Sequence, residues 1–379
     1  MANKSDNLIN NLIILQNAFG AGSHTAVRIV LSLYEKGLLE KEMKEIISIG
    51  VLTEKISDHI KPKLKSADRI IPYCQKNGIR IIGITDVEYP AKLRNIPAPP
   101  LVLYIRGELP CIDDLPSVCI VGPRKVTDFG EKAAYSIAYR LSRAGVIIVS
   151  GGALGSDSAA HKGALNGEGK TVAVLACGLD YDYLAENRPL RNRISKNGCL
   201  ISEYPPQTPV SRYSFPVRNR IMSGLCDATI VVEAGSRSGA LITARHAAEQ
   251  GREVFAIPGN PTFPEYIGSN SLLRDGATPF LKVDDVFSLL NKKYPDKLDI
   301  ENAYKKTAKT VSSQKIQKKS CESLSKNAKI VYNHLDKPNF SADDLLLPEL
   351  SDDDLLSALT ELEIEHFIKA MPGGNYSLI

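Results

Sequence analysis

The sequence lacks the features that mark a membrane, secreted or metal-binding protein. No apolar run approaches the roughly 20 residues that a membrane-spanning helix needs, and the N-terminus has no signal-peptide pattern. The seven cysteines are scattered without a C-x-x-C pair, and the six histidines form no cluster. We therefore expect reduced, buried thiols, no metal, no membrane partner and a cytoplasmic location.

Charge and nucleotide motifs are also scarce. The formal charge of +4 over 379 residues does not by itself indicate a polyanionic partner, and it does not exclude one. No lysine stands where a Walker loop requires it, which argues against ATP hydrolysis. No acidic residue follows a G-x-G-x-x-G turn at dinucleotide spacing, which argues against NAD. We expect no cofactor.

From about residue 117 the sequence alternates between apolar strand-like runs and segments with helical periodicity. Short links join them, which is typical of a mostly parallel sheet covered by helices on both faces. This pattern predicts an α/β, Rossmann-like domain. The strand-like runs are residues 118–121, 146–149, 171–175, 199–201, 228–232 and 253–257.

Three further regions flank these runs. Residues 1–70 are predicted to form a helical domain of the SAM or helix-hairpin-helix type, and its hairpin at 19–22 either presents N–H groups to a phosphate or only connects two helices. An extended lead-in begins at 71, and the sheet domain continues to 291. The lysine-rich stretch 292–325 is predicted to be a flexible basic linker.

Residues 326–379 predict a small winged-helix domain ending in a hairpin. Its third helix would be the one that reads DNA, yet it carries many acidic residues. Because DNA affinity depends largely on neutralising phosphates, we expect this domain to contact protein rather than DNA.

Nearly every unusual residue of the sheet domain follows a predicted strand, and ligands of parallel sheets collect at those carboxyl ends. The glycine-rich turn at 151–155 opens a helix, an arrangement that suits an anion. Arginines at 218 and 220 stand near a predicted helix start after Pro216, where a cation is disfavoured unless an anion is also bound. The candidate DNA contacts are Gly122, Arg124, Ser150, Gly151, Gly152, Gly155, Asn187, Arg218, Asn219, Arg220, Ser238, Gly239, Thr243 and Arg245.

Catalytic residues are harder to find. Ser156, Asp157 and His161 lie close together, but there is no G-x-S-x-G elbow and no independent acid to orient the histidine. We assign loop-fixing, structural roles to Asp157, His161 and Glu233. Several anion-binding turns without a base, metal or nucleophile favour a protein that follows the backbone of a single strand over an enzyme.

The order of these motifs resembles the DprA/Smf family, the DNA-processing proteins of bacterial natural transformation. The likeness extends to the proline-rich lead-in and to the C-terminal P-G-G-N-Y ending. The motifs include V-G-P-R at 121–124, S-G-G-A-L-G-S-D at 150–157, A-C-G-L-D at 176–180, I-S-E-Y-P-P at 201–206, F-P-V-R-N-R at 215–220 and S-G-A-L-I-T-A-R at 238–245.

The resemblance implies a protein that binds single-stranded DNA with little sequence preference, protects incoming strands and passes them to the RecA recombinase, without catalytic turnover. It also implies a homodimer formed through the Rossmann-like domain. The family's phosphate-binding arginine falls on Arg124, and its F-P-x-R-N-R motif on Arg218, Asn219 and Arg220.

The sequence departs from the family pattern in three places. Gly122-Pro123-Arg124 stands where the family usually has Gly-Ser-Arg, which removes a hydroxyl and a backbone N–H. Gly155-Ser156-Asp157 replaces Gly-Ile-Asp, and Tyr183-Leu184 replaces Tyr-Pro.

Two alternative functions compete with single-strand binding. Phosphoribohydrolases of the "lonely guy" type share the fold, but their P-G-G-x-G-T-x-x-E loop is absent from 233–243. A transcription regulator would use the winged helix, which the acidic third helix argues against.

Overall fold

The computed structural model describes residues 4–305, 324–335, 339–341, 345, 350–371 and 375–378. The chain divides into two compact units, Met1–Tyr304 and Lys305–Ile379. None of the described helices is both long enough and apolar enough to cross a membrane.

The first unit combines an N-terminal helical region with an α/β layer structure. Its strands are β1 (Arg80–Gly83), β2 (Val102–Gly107), β3 (Ser117–Val121), β4 (Ile147–Ser150), β5 (Thr171–Leu175), β6 (Cys199–Ser202), β7 (Ala228–Val231), β8 (Glu253–Ala256) and β9 (Thr278–Pro279). Its helices are α1 (Lys4–Phe19), α2 (His24–Glu35), α3 (Met43–Ser48), α4 (Glu54–Ile60), α5 (Ser66–Lys76), α6 (Ala91–Arg94), α7 (Asp128–Arg143), α8 (Ser156–Asn166), α9 (Arg188–Asn197), α10 (Ser214–Gly224), α11 (Gly239–Glu249), α12 (Ile267–Arg274), α13 (Val283–Lys293) and α14 (Ile300–Tyr304).

Within the described residues these nine strands form one sheet in the order β1-β2-β6-β5-β4-β3-β7-β8-β9. From β6 to β9 all neighbours are parallel, whereas β2 pairs antiparallel with both β1 and β6. The predicted α/β class with a mostly parallel sheet is confirmed. The strands from β3 to β7 are buried throughout because helices cover both faces, which explains their continuous apolar runs.

The sheet changes direction at β3. The chain leaves β3 for β4 on one side and returns later to β7 on the other side of β3. Such a switch point leaves a crevice beyond the carboxyl ends of the two diverging strands. The loops after β3 and β7 are therefore the place to look for a ligand site.

The N-terminal helices differ from the prediction of a separate domain ending at 70. One hydrophobic cluster contains Leu12 and Leu15 of α1 together with Val102 and Tyr104 of β2. In addition, the Gln16 side chain donates to the carbonyls of Val102 and Glu203, at 3.1 and 2.7 Å. A shared core and buried hydrogen bonds make these helices part of the same unit as the sheet.

The prediction of a linker from 292 is wrong for its first residues. Helix α13 continues to Lys293, and α14 follows with Ala303 buried against the cluster of the first unit. Lysine-rich composition misled the prediction because the few apolar residues here are the ones that pack. Residues 306–323 of the predicted linker lie outside the described residues.

The second unit contains α15 (Lys326–His334), β10 (Asn339–Ser341), α16 (Asp352–Ile364), β11 (Ile368–Met371) and β12 (Asn375–Leu378), with the strand order β10-β12-β11. The predicted C-terminal hairpin is therefore present as β11 and β12. The predicted middle helix falls largely outside the described residues, so a winged helix stays a prediction.

Some of the acidic residues of α16 have hydrogen-bond partners within the second unit. Glu361 accepts from the Ser325 amide at 2.7 Å, and Glu363 accepts from the Ala370 amide at 3.0 Å. Ser351 caps the helix, because its hydroxyl accepts from the Asp354 amide at 3.2 Å. Some of the negative charge thus holds this small unit together, and a protein partner for it stays a prediction.

Candidate functional site

A cleft of about 710 Å³ lies beyond the carboxyl ends of β3, β4 and β7, at the switch point of the sheet. The loop after β3 forms one wall, and the loop after β7 with the start of α11 forms the facing wall. Of the predicted site residues, nine line this cleft: Gly122, Arg124, Asp157, Arg218, Asn219, Glu233, Ser238, Gly239 and Thr243.

Arg124 projects from the wall after β3 and is exposed. Its guanidinium stacks over the ring of Phe215, 4.4 Å from the centroid, and donates to the Tyr183 hydroxyl at 3.0 Å. The two rings form a tilted pair with centroids 5.9 Å apart. An exposed cation is thereby held beside two aromatic faces, an arrangement suited to a phosphate with a neighbouring base.

Two further cations on this cleft were not among the predicted contacts. Lys125 follows Arg124, and Arg237 lies in the loop after β7; both are exposed and line the cleft. Both lie in the loops that follow β3 and β7, and that position at the carboxyl ends of the strands was the signal available in the sequence. We call Arg124, Lys125 and Arg237 the rim cations.

The start of α11 faces the cleft between these cations. The Ser238 hydroxyl caps the helix by accepting from the Ala240 amide at 3.3 Å, and the first turn holds no acidic residue. The positive end of the helix dipole is therefore not offset by a carboxylate within the helix. Together with the rim cations it favours an anionic ligand.

Arg218 is buried, not presented to solvent as the sequence predicts for a DNA contact. Its side chain is 6% exposed, and Nη1 donates to the carbonyls of Gly151, at 2.6 Å, and Val174. A Cβ on residue 151 would lie 2.1 Å from that nitrogen, so the glycine is needed for this approach. Burial lowers the pKa of Arg218, opposed by the charge of Asp157.

Arg220 is equally buried and is neutralised within the chain. Its Nη2 donates to both carboxylate oxygens of Glu203, at 2.7 and 2.9 Å. Glu203 Oε1 also accepts from the amide of Gly22, in the hairpin between α1 and α2, at 2.9 Å. The Gly22 amide and the Arg220 guanidinium therefore join the N-terminal helices to α10, and the hairpin acts as a connector.

The helix that carries these arginines also starts earlier than predicted. Helix α10 begins at Ser214, so Pro216 lies inside its first turn and Arg218 follows in the second. Proline is tolerated there because the first-turn amides have no intrahelical acceptor. Arg218 and Arg220 therefore do not lie in the first turn, and the helix dipole gives no reason to expect a bound anion beside them.

The glycine-rich turn at 151–155 already holds an anion of the protein itself. Gly152 and Gly155 have positive φ angles of 65° and 71°. Asp157 accepts from the Ala153 amide at 3.3 Å, and burial raises the pKa of this carboxyl. Asp157 therefore bonds to the backbone of this turn, and its loop-fixing role stays a prediction.

The other predicted residues around this turn are mostly buried and bonded. Ser150 donates to the Ile120 carbonyl at 2.7 Å, and Asn187 donates to the Gly152 carbonyl and the Ser158 hydroxyl. His161 Nδ1 lies 2.8 Å from the Thr171 hydroxyl, and burial lowers its pKa to about 3. Arg245 is exposed on α11 and is not among the residues that line the cleft.

Glu233 ties the two walls of the cleft together. Its Oε2 accepts from the Thr127 hydroxyl at 2.8 Å, at the N-cap of α7. Its Oε1 is buried and has no hydrogen-bond partner among the described residues. Glu233 therefore bonds across the two walls, and its loop-fixing role stays a prediction.

Two of the three departures from the family pattern, Pro123 and Ser156, contact each other. The Pro123 carbonyl accepts from both the amide and the hydroxyl of Ser156, at 3.3 and 3.2 Å, so the two exchanged residues bond to each other. Leu184 has φ 56° and ψ 71°, a backbone conformation closed to proline, whose ring fixes φ near −65°. The loop after β5 therefore has a conformation that the usual Tyr-Pro pair excludes.

Comparison with known proteins decides the family. Residues 80–291, more than half of the chain, match the model of the family described as DNA recombination-mediator protein A. The chain belongs to this family.

Individual relatives agree. The DNA processing protein DprA of Bacillus subtilis is 36% identical over 253 residues, which is 67% of this chain and 84% of the relative. Protein Smf of Synechocystis is 40% identical over 219 residues, 57% of this chain and 55% of the relative. The predicted membership of the DprA/Smf family is confirmed.

Two solved structures of this family resemble the fold. The X-ray structure of DprA from Streptococcus pneumoniae has a TM-score of 0.65 at 32% identity, and covers 74% of this chain and 97% of that one. The Helicobacter pylori protein, described for a unique single-stranded DNA binding mode, has a TM-score of 0.52 at 29% identity and covers 57% of this chain and 97% of its own.

Proposed function

We propose that this protein binds single-stranded DNA along the cleft at the switch point, protects the strand and serves DNA uptake and recombination. The observation that carries the proposal is the set of rim cations, Arg124, Lys125 and Arg237, which are exposed on one cleft together with the start of α11. Family membership and the single-stranded DNA binding of the H. pylori relative support it.

The chemistry of the cleft suits the binding of a single strand of any base sequence. Arginine and lysine side chains and a helix start bind phosphates, which every nucleotide presents. Phe215 and Tyr183 are partly exposed beside Arg124, and we expect a base of any kind to stack next to them. Contacts of both kinds give affinity with little sequence preference.

The buried members of the predicted site act as positioning residues in this proposal. Arg218 lines the cleft and donates to carbonyls of the chain, whereas Arg220, which is not among the residues that line the cleft, pairs with Glu203. Among the predicted contacts, we expect Arg124, Ser238 and Gly239 to touch a strand in the cleft, and Arg245 to touch one that extends along α11.

We also infer that the protein has no catalytic turnover, works in the cytoplasm and hands its strand to the RecA recombinase. The family's description as a recombination mediator supports the last point. A phosphoribohydrolase remains the competing function, and a base-release assay with nucleoside monophosphates separates the two. Release at enzyme-like rates would overturn the non-enzymatic proposal.

A homodimer through the first unit belongs to the same proposal. Large apolar side chains are exposed beside the cleft's second wall: Ile242 on α11 is 38% exposed, Phe263 53% and Ile267 on α12 47%. Sedimentation of the protein and of the Ile267→Glu variant tests this, since a charge in an apolar interface should yield monomers. An unchanged sedimentation coefficient would contradict this interface.

Charge reversal of a rim cation tests the main proposal. Arg124→Glu replaces an attraction for phosphate with a repulsion, so binding of oligo-dT at moderate salt should fall by roughly 100-fold or more. The matched control is Arg69→Glu, at an exposed position of α5, which should bind as the wild type does. Equal affinities for all three proteins would refute the proposed cleft.

A further inference from the structure

One buried acceptor of the cleft has no donor. Glu233 lines the cleft and is 1% exposed. Its Oε2 accepts from the Thr127 hydroxyl at 2.8 Å, whereas Oε1 is buried without a hydrogen-bond partner among the described residues. Buried polar groups of native proteins are nearly always hydrogen-bonded, so an unpartnered one calls for an explanation.

The packing around Glu233 shows which of its oxygens is left for a ligand. A Cβ added to Gly130 of α7 would lie 2.2 Å from Oε2, so this oxygen is packed against the start of α7. Oε1 is the other oxygen of a side chain that lines the cleft. Because Oε1 is buried, a donor that reaches it from the cleft has to be small, such as a single hydroxyl group.

A second polar group of the same cleft is also without a partner. Thr243 of α11 lines the cleft, is 1% exposed and makes no hydrogen bond within the described part of the chain. It lies one turn after Gly239, whose carbonyl accepts from the Asn219 side chain at 3.4 Å. Since a hydroxyl both donates and accepts, Thr243 adds a second group that can bond to a polar ligand.

The backbone of a DNA strand does not supply the donor that Glu233 lacks. Phosphates and deoxyribose rings along a strand carry oxygen acceptors only, and the donors of DNA are on the base edges. The aromatic rings beside which we expect the bases, Phe215 and Tyr183, contact Arg124 of the wall after β3. Glu233 follows β7, on the wall that continues to the start of α11. We therefore expect the sugar and phosphate of a nucleotide, rather than its base, to meet Glu233.

We propose that the cleft also binds single-stranded RNA, with Glu233 Oε1 accepting a hydrogen bond from a ribose 2′-hydroxyl. This hydroxyl is the group by which a protein distinguishes RNA from DNA, and it is both small and a donor. The proposal rests on strand binding in the cleft, to which it adds a second class of ligand and a role for Glu233 in selecting it. An RNA strand in the cleft excludes a DNA strand from it.

The test compares strands that differ only at the 2′ position. Oligo-U, oligo-dU and 2′-O-methyl oligo-U of about 15 nucleotides, within the range of single-strand site sizes, are titrated against the wild type at one salt concentration. Oligo-U should bind about tenfold more tightly than either of the others, because only its 2′ group donates to the buried acceptor. The three strands carry the same base, so base contacts cancel in the comparison.

A substitution then assigns the preference to Glu233. Glu233→Gln places an amide N–H2 at the unpartnered position and keeps an acceptor for Thr127. The ratio of the affinities for oligo-U and oligo-dU should fall from about tenfold toward one, whereas a distorted cleft would weaken both strands together. Glu265→Gln is the matched control, since it is the same substitution at an exposed residue of the cleft, and it should keep the wild-type ratio.

Equal affinities of the wild type for oligo-U and oligo-dU would overturn the proposal and leave DNA binding in the cleft intact. If 2′-O-methyl oligo-U bound as tightly as oligo-U, the hydroxyl proton would not be used and the proposal would also fail. A preference for oligo-U that persists in Glu233→Gln would contradict the assignment to Glu233. Failure of the wild type to bind any of the three strands would refute the proposed cleft itself, and this inference with it.

Discussion

Arg218 of α10 and the rim cations line the same cleft, yet they have different environments, and Arg220 on the same helix is buried as Arg218 is. Arg218 and Arg220 are each 6% exposed and bonded to carbonyls or to Glu203, whereas Arg124 and Arg237 are exposed at the cleft. A buried, paired guanidinium stabilises a structure, because removing its partner leaves an uncompensated charge. An exposed one remains available to a phosphate. Burial, rather than residue type, therefore distinguishes the arginines that stabilise the structure from those that remain available to a ligand.

The largest expected effect is on stability, when the buried Arg220 is replaced. Arg220→Met leaves Glu203 buried with only the Gly22 amide as a charge-stabilising donor, so the free energy of unfolding should fall by about 3–5 kcal/mol. Urea denaturation measures the change. Adding Glu203→Gln removes the unpaired charge but keeps an acceptor for Gly22, and the double variant should recover most of the loss. No recovery would show that Arg220 acts through something other than Glu203.

A smaller effect on the free energy of unfolding comes from the buried His161 and depends on pH. The pKa of His161 is lowered by burial to about 3, against about 6.5 when unfolded. The unfolded chain therefore binds the extra proton first as the pH falls from about 6.5 toward 3, and this group costs about 1.4 kcal/mol of stability per pH unit in that window. Between pH 6 and about 4.5 the wild type should lose about 2 kcal/mol more than His161→Gln. Parallel pH profiles would contradict the buried, neutral histidine.

Effects at the rim should appear in affinity with little change in stability. Arg237→Gln removes one exposed cation, and oligo-dT affinity should fall about fivefold, or about 1 kcal/mol. The melting temperature should stay within a degree or two, since exposed substitutions usually change stability by under 0.5 kcal/mol. A large drop in melting temperature would show that Arg237 stabilises the fold and would contradict its assignment to the binding surface.

The comparison also explains what sequence patterns can and cannot predict here. The β-branched runs at 118–121 and 228–232 predict β3 and β7 because burial on both faces leaves a continuous apolar signature. The carboxyl-end rule then places Arg124 and Ser238 on one cleft. These inferences need only local pattern and a general property of parallel sheets.

The roles of the arginines depend on pairings distant in the sequence. Glu203, which neutralises Arg220, also binds Gly22, 181 residues away. Elsewhere Asp227 pairs with Lys92 at 2.8 Å across 135 residues. A local pattern shows a cation but not the distant groups that it will contact, so the sequence alone does not show that Arg218 bonds to backbone carbonyls and Arg220 to Glu203. Lys125 and Arg237 belong to no motif, so only their position in the loops after β3 and β7 could have indicated them.

The salt dependence of oligo-dT binding tests most directly whether the exposed cations, and not the buried arginines, meet the strand. Each phosphate contact contributes about 0.7 to the slope of log affinity against log salt for single strands. Replacing Arg124, Lys125 and Arg237 together by Gln should lower that slope by about 2 while the melting temperature is preserved. A slope equal to that of the wild type would contradict the account.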